Sequence, residues 1–238
     1  MIEVLKEAGS TNAEALARLA AGERVPEGHW IVADRQTAGR GRLGRQWHDG
    51  AGNFMGSTVV HLRPGDPPAQ TLALVAGLAV AEVIARHLPS PVRAMLKWPN
   101  DVLVDGAKLC GVLLERAGDA VVVGIGANLA FAPRLAERAT TALARFGTAP
   151  DRDAFAGELA ASFALEVERW RAHGLAPMLA RWQAAAHPVG TPLAVQRSAD
   201  ALLEGTFAGL SADGALQLRL GDGTTLTIHS GEVNFARA

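Results

Sequence analysis

The spacing of hydrophobic positions changes along the chain. TNAEALARLAA (11–21) repeats alanine and leucine at helical intervals, with Glu14 three residues after Thr11 as in a capping box. WIVAD (30–34) and FMGSTVVHL (54–62) are apolar runs of strand length. A long helix is predicted over 69–88, where TLALVAGLAVAEVIA meets Glu82 after eleven residues, too short a run to span a bilayer and suited to a buried core. VRAMLKW, DVLVDG, KLCGVLLE and AVVVGIGAN follow as strands punctuated by Asp-Gly or Gly-Asp, and 151–186 returns to helical spacing. After HPVGTP (187–192) the pattern alternates, with Asp213-Gly214 and Asp222-Gly223 between short runs, which predicts antiparallel strands forming a small barrel against the larger unit. The expected division is 1–186 and 187–238.

Composition narrows the class. Of 238 residues, 49% are hydrophobic and 20% charged, enough for a buried core. A formal net charge of −1 gives no reason to expect nucleic acid or an anionic membrane as partner. The one cysteine, Cys110, permits no internal disulfide and fits a reducing, cytoplasmic setting; the N-terminus carries no export pattern.

GRGRLG (39–44) matches the glycine spacing of a dinucleotide fingerprint, but RQWHDGAGN follows it where the fingerprint requires a helix. What remains is a glycine loop with Arg40, Arg42 and Arg45, groups that repel one another and gain little from packing. Such a loop is expected to stay mobile until an anion arrives. It is either a clamp for phosphate or carboxylate oxygens or a solvated basic loop. Trp47 beside it either packs on a nucleotide base or anchors the core.

Lys97, in AMLKWPND, sits at a strand end that runs inward; its ammonium either meets an anion or reaches back to water. If 101–106 and 108–115 pair as a hairpin, Lys108 lies at the same edge and the two lysines make a second cationic pole. Asn100 and Asp101 either hold magnesium or cap a turn. Gly124 and Gly126 interrupt a strand, as where another group approaches closely. Asn128 can read an adenine edge or close a turn, and Ser10 and Thr11 read most simply as helix caps. Gln36 has no evident structural task. The seven histidines lack metal-ligand spacing, no nucleophile elbow or Walker loop is present, and Cys110 reads as a small buried residue.

Taken in order, GSTN, DRQTAGRGRLGRQW, LKWPNDV, KLCGVLLE and VGIGANL resemble the catalytic domain of biotin–protein ligases, and the tail resembles their C-terminal small β-barrel. The resemblance implies an α+β fold of the class II synthetase-like type, a mixed sheet flanked by helices, with an SH3-like barrel over 187–238. It implies a ligase that activates biotin with ATP and magnesium to biotinyl-AMP and passes biotin to a lysine of a biotin carboxyl carrier domain. By motif match, Ser10, Thr11, Gln36, Gly39, Arg40, Lys97, Gly111 and Gly124 would hold biotin. Arg42, Gly44, Arg45, Trp47, Asn100, Lys108 and Asn128 would hold the nucleotide. Lys97 and Arg42 would be catalytic, and Asn100 or Asp101 would lie near magnesium. The chain starts almost at GSTN, leaving no room for the DNA-binding helix-turn-helix of regulatory members, and Cys110 stands where alanine is common. A homodimer through an exposed sheet edge is compatible with the pattern. The rival readings are a lipoate ligase of the same fold, a DNA-binding repressor that senses biotinyl-AMP, and a carrier scaffold.

Overall fold

A computed structural model describes residues 1–198 and 201–236. The larger unit runs β1 (Ile2–Leu5), α1 (Thr11–Ala20), β2 (Trp30–Ala33), β3 (Phe54–His61), α2 (Leu72–Arg86), β4 (Ala94–Lys97), β5 (Asp101–Val104), β6 (Ala107–Ala117), β7 (Ala120–Ala127), α3 (Arg152–His173) and α4 (Leu175–Ala185). Its strands form one seven-stranded sheet in the order β1-β2-β3-β7-β6-β5-β4. Only β1 and β2 are parallel, because α1 connects them as a crossover, and the other pairs are antiparallel. The fold is therefore the expected mixed sheet with helices. β1 was not among the predicted strands, since four residues at the chain start carry too little pattern.

The sheet is covered on both sides, and the alternation along β7 records it. Val121, Val123 and Ile125 enter the main core with α2, whereas Ala120 and Val122 pack in a smaller cluster with Ala15 of α1. Gly124 and Gly126 continue the second series, so the α1 face loses its side chains where β7 ends. On β6 the same parity puts Cys110 and Val112 in the core. The stretch Ala69–Arg86, with mean hydropathy 1.5, is long and apolar enough to cross a membrane by length and composition, which corrects the expectation that it falls short. Here it is the core helix, with eleven buried residues from Leu72 to Ile84 packed between the sheet and α3.

The smaller unit is a five-stranded sheet of β8 (Pro192–Ser198), β9 (Ala201–Leu210), β10 (Leu216–Arg219), β11 (Thr225–Ile228) and β12 (Glu232–Phe235), ordered β11-β10-β9-β8-β12. Both predicted Asp-Gly turns carry positive φ at glycine, Gly214 at 84° and Gly223 at 87°. The unit is fastened to the larger one by polar contacts through its own backbone. Trp98 Nε1 donates to Gly214 O at 3.0 Å, and Leu210 N donates to Gln183 Oε1 at 2.9 Å. His187, buried in the connection, stacks edge-on against Phe207 (4.4 Å) and Phe235 (5.4 Å), and burial pushes its imidazole down to about 4.

Candidate functional site

The stripped α1 face of the sheet floors a cavity of about 470 Å³. Segments distant in sequence close it: the N-terminus of α1, the loop 39–47, the end of β4, the start of β6, residues 137–139 of the 128–142 loop, and β12. Six basic side chains line it against three acidic ones, so the cavity is suited to an anion.

At one end α1 begins without a cap from its own segment. Ser10 sits at the N-cap position with extended backbone (φ −158°), yet its side chain makes no capping bond, and Glu14 pairs with Arg18 at 2.9 Å instead of closing a capping box. The first helical amide is satisfied from 25 residues away: Thr11 N donates to Gln36 Oε1 at 2.7 Å. Gln36 thus has the structural task its sequence context did not show, and the buried Ser10 hydroxyl is left to the cavity. Thr11 Oγ1 lies 2.7 Å from Ser57 Oγ, which donates to Asn12 Oδ1 at 2.6 Å, and Asn12 Nδ2 donates to Glu115 Oε2 at 2.8 Å. Gly124 makes room for this chain, because a Cβ there would sit 2.1 Å from Asn12 Oδ1.

The arginine loop is a tongue lying over the sheet. Trp47 N donates to Gly39 O (2.9 Å), Gly41 N to Arg45 O (2.7 Å), and Arg40 bridges Gln46; the turn is made with positive φ at Leu43 (57°) and Gly44 (72°). Gly39 is where the two arms approach, a Cβ there falling 2.7 Å from Trp47 O. Gly39 and Gly44 therefore shape the tongue and do not line the cavity, unlike Arg40, Arg42, Arg45 and Trp47, which do. The expectation of arginines without packing partners is corrected. Arg42 Nη1 donates to Asn100 Oδ1 at 3.2 Å, Arg42 Nη2 reaches Gly231 O at 3.5 Å, and Arg45 pairs with Glu232. Burial lowers the proton affinity of Arg42, with Asp101 opposing the shift.

Trp47 takes the space that Gly126 and Gly111 leave open. A Cβ on Gly126 would meet the indole at 2.3 Å, and one on Gly111 at 3.3 Å. Its Nε1 is buried without a hydrogen-bond partner, and Lys108 Nζ lies 5.9 Å from its ring centroid.

The second cationic pole forms as expected, since β4, β5 and β6 pair in succession. Asp101 sits between the lysines: Lys108 Nζ donates to Oδ1 at 2.5 Å, and Lys97 Nζ is 3.8 Å from Oδ2. Burial holds the Lys97 ammonium below the usual lysine range, Asp101 resisting and Lys108 and Arg138 adding to the effect. Asn100 is committed too, Nδ2 donating to Val112 O at 2.6 Å. With Asp101 shared by two lysines and Asn100 bonded on both sides, these residues do not fit a protein-built magnesium site, and no cluster of three metal-ligating side chains occurs among the described residues.

Asn128, like Gly39 and Gly44, falls outside the cavity. It is buried, its Nδ2 donates to Thr141 O at 3.1 Å, and Asn53 Nδ2 approaches its Oδ1 at 3.5 Å, so it closes a turn. Asn12, Arg138 and Glu232 line the cavity without having been singled out. Asn12 lay inside the quoted GSTN, where Gly124 facing it was the only hint; Arg138 comes from a segment with no local pattern, and Glu232 from the alternating tail, whose pattern marks strands but not a cavity. Cys110 is fully buried and its thiol is pushed up by desolvation, the inert state expected of it.

Comparison with known proteins gives these features a context. Residues 10–129 match the biotin/lipoate A/B protein ligase family and residues 194–235 the biotin protein ligase C-terminal domain. The chain is 39% identical to the biotin–[acetyl-CoA-carboxylase] ligase of Paracoccus denitrificans, over 91% of this chain and 93% of that protein. It is 35% identical to the ligase of the same name from Mycobacterium tuberculosis, over 98% and 88%. Among solved structures it is similar to the biotin protein ligase of Aquifex aeolicus in complex with biotin and ATP, with a TM-score of 0.85 and 28% identity over 100% of this chain and 99% of that one.

Proposed function

The chain belongs to the biotin/lipoate A/B protein ligase family and is an ATP-dependent biotin ligase acting on a carboxylase carrier domain, and on that premise we propose which of its residues do the work. In the reaction a biotin carboxylate oxygen attacks the α-phosphorus of ATP and pyrophosphate leaves. The ε-amine of a carrier lysine then attacks the carbonyl of biotinyl-AMP, forming an amide and releasing AMP. Neither step needs a covalent enzyme nucleophile. The protein must bring two anions together and hold them.

The observation that carries the assignment is the convergence of Lys97 and the arginine tongue on one cavity that also takes in the uncharged Ser10, Thr11 and Gln36. Ser10, Thr11, Gln36 and the backbone at Arg40 form the uncharged end, with donors and acceptors suited to the ureido ring of biotin. Lys97 bridges the biotin carboxylate and the α-phosphate, offsetting their repulsion as they join. Arg42, Arg45 and Lys108 take phosphate oxygens, with Asn100 fixing Arg42. Trp47 packs beside the nucleotide, and its orphaned indole N–H costs about 1–3 kcal/mol until an acceptor arrives. Magnesium travels with ATP and is given no protein ligand by this assignment. Residues 1–186 form the catalytic domain, and 187–238 the barrel whose β12 meets the tongue. The proposal extends to a cytoplasmic setting, in keeping with the single buried Cys110, and to pairing of two copies along the edge strand β1, where Val4 is exposed.

The decisive measurement is ATP–pyrophosphate exchange driven by different acids. Exchange with biotin and none with lipoate is expected; the reverse would make this a lipoate ligase.

A further inference from the structure

We propose that Arg138, from the loop 128–142, is a further phosphate-binding residue of this site, contacting the triphosphate of ATP alongside Lys97 and Lys108. The inference rests on the reading of the cavity as the ATP site.

Arg138 is delivered by backbone contacts to Lys108 itself. Lys108 N donates to Ala139 O at 2.9 Å and Thr141 N donates to Lys108 O at 2.9 Å, a parallel bridge centred on Thr140 that lays the loop against the edge of β6. The residue just before that bridge is Arg138, which lines the cavity. Its side chain is a quarter exposed and its Nε is fully buried with no hydrogen-bond partner. The nearest carboxylate, Glu137, stands 3.9 Å away and is turned mostly to solvent (61% exposed). Arg138 also adds to the positive field that disfavours the charged form of Lys97.

A buried guanidinium N–H without an acceptor, set beside two ammonium groups that share one carboxylate, is unfavourable in the free protein. An incoming polyanion reverses each of these terms. It accepts from Nε, separates like charges, and suits the planar fork of arginine better than a carboxylate at 3.9 Å does. Biotin brings one negative charge and the triphosphate several, so the nucleotide is the partner this arrangement fits. The same position excludes a role in holding the ureido ring, which lies at the uncharged end.

The test compares Arg138→Ala and Arg138→Lys with the unsubstituted full-length chain. KM for ATP and for pyrophosphate is measured in biotin-dependent exchange, and biotin affinity is measured without nucleotide. Arg138→Ala should raise the ATP and pyrophosphate KM about 10-fold and Arg138→Lys by less, with biotin affinity unchanged. An ATP KM within twofold of the parent overturns the proposal. So does an effect confined to KM for the carrier domain, which would make Arg138 a docking residue. If Arg138→Ala also loses biotin affinity, Arg138→Lys decides by the same ATP criterion. Failure of the unsubstituted chain to catalyse biotin-dependent exchange would count against the ATP reading itself, a separate outcome.

Discussion

Lys108 Nζ donates to Asp101 Oδ1 at 2.5 Å, and the same carboxylate leaves its second oxygen 3.8 Å from Lys97. One anion thus holds two cations within the cavity proposed to receive the polyanion. Its charge also opposes the burial that lowers the Lys97 pKa.

Asp101→Asn removes that support. Because burial already lowers the Lys97 pKa and Asp101 opposes the shift, the variant should lose the Lys97 proton at lower pH. The alkaline limb of the adenylation pH profile is expected to move toward neutrality, with the acid limb in place. An unmoved alkaline limb would separate Lys97 from the pH dependence.

Lys97→Ala should slow biotinyl-AMP formation by about 10²–10³-fold, roughly 3–4 kcal/mol of transition-state stabilisation. Transfer from preformed biotinyl-AMP to the carrier should fall much less, since the carboxylate and phosphate are already joined. Single-turnover measurements of the two half-reactions check this.

Glu232→Ala frees Arg45 from β12 and leaves the Arg42 contact to Gly231 O as the tie between the tongue and the smaller unit. Retention of biotinyl-AMP is expected to weaken, its off-rate rising several-fold, while biotin affinity stays near the parent value. An unchanged off-rate would mean that the tongue holds the intermediate without the barrel.

Gly124→Ala places a Cβ 2.1 Å from Asn12 Oδ1, inside the Thr11–Ser57–Asn12–Glu115 chain. Overpacking of this kind costs about 1–3 kcal/mol. Thermal unfolding should show that loss, and biotin affinity should drop with it because Thr11 and Ser10 stand on the displaced helix end.

His187 gives the connection between units an acid sensitivity. Its folded pKa of about 4 lies below the unfolded value of 6.5, so between those values the unfolded chain binds more protons and stability rises with pH. Acidification from about 6.5 to 4 should therefore cost about 3 kcal/mol at this site. His187→Phe is expected to flatten that part of the stability curve in chemical denaturation. Glu3, held down at about 2 by Arg18 and His29, contributes stability that is full above its unfolded value of 4.5 and is lost as pH falls from there toward 2, a lower window.

Local pattern determined most of the elements here. Period and punctuation are properties of neighbours in the chain, so the apolar runs of β2 to β7, the long α2, the α3–α4 stretch and the Asp-Gly turns were all legible. So were the arginines of the tongue, the two lysines and the interrupting glycines that line the cavity. What only the folded chain decided is which groups meet. Gln36 caps α1 across 25 residues, and Asn128 turns inward to close a loop. Arg138 joins the cavity from a segment with no pattern of its own, and Glu232 from a strand whose pattern does not mark it for a site. The physical reason is that a cap, a counter-charge or a close approach is fixed by distance in space. Sheet order and strand register set those distances, and nothing in the spacing of hydrophobic residues encodes them.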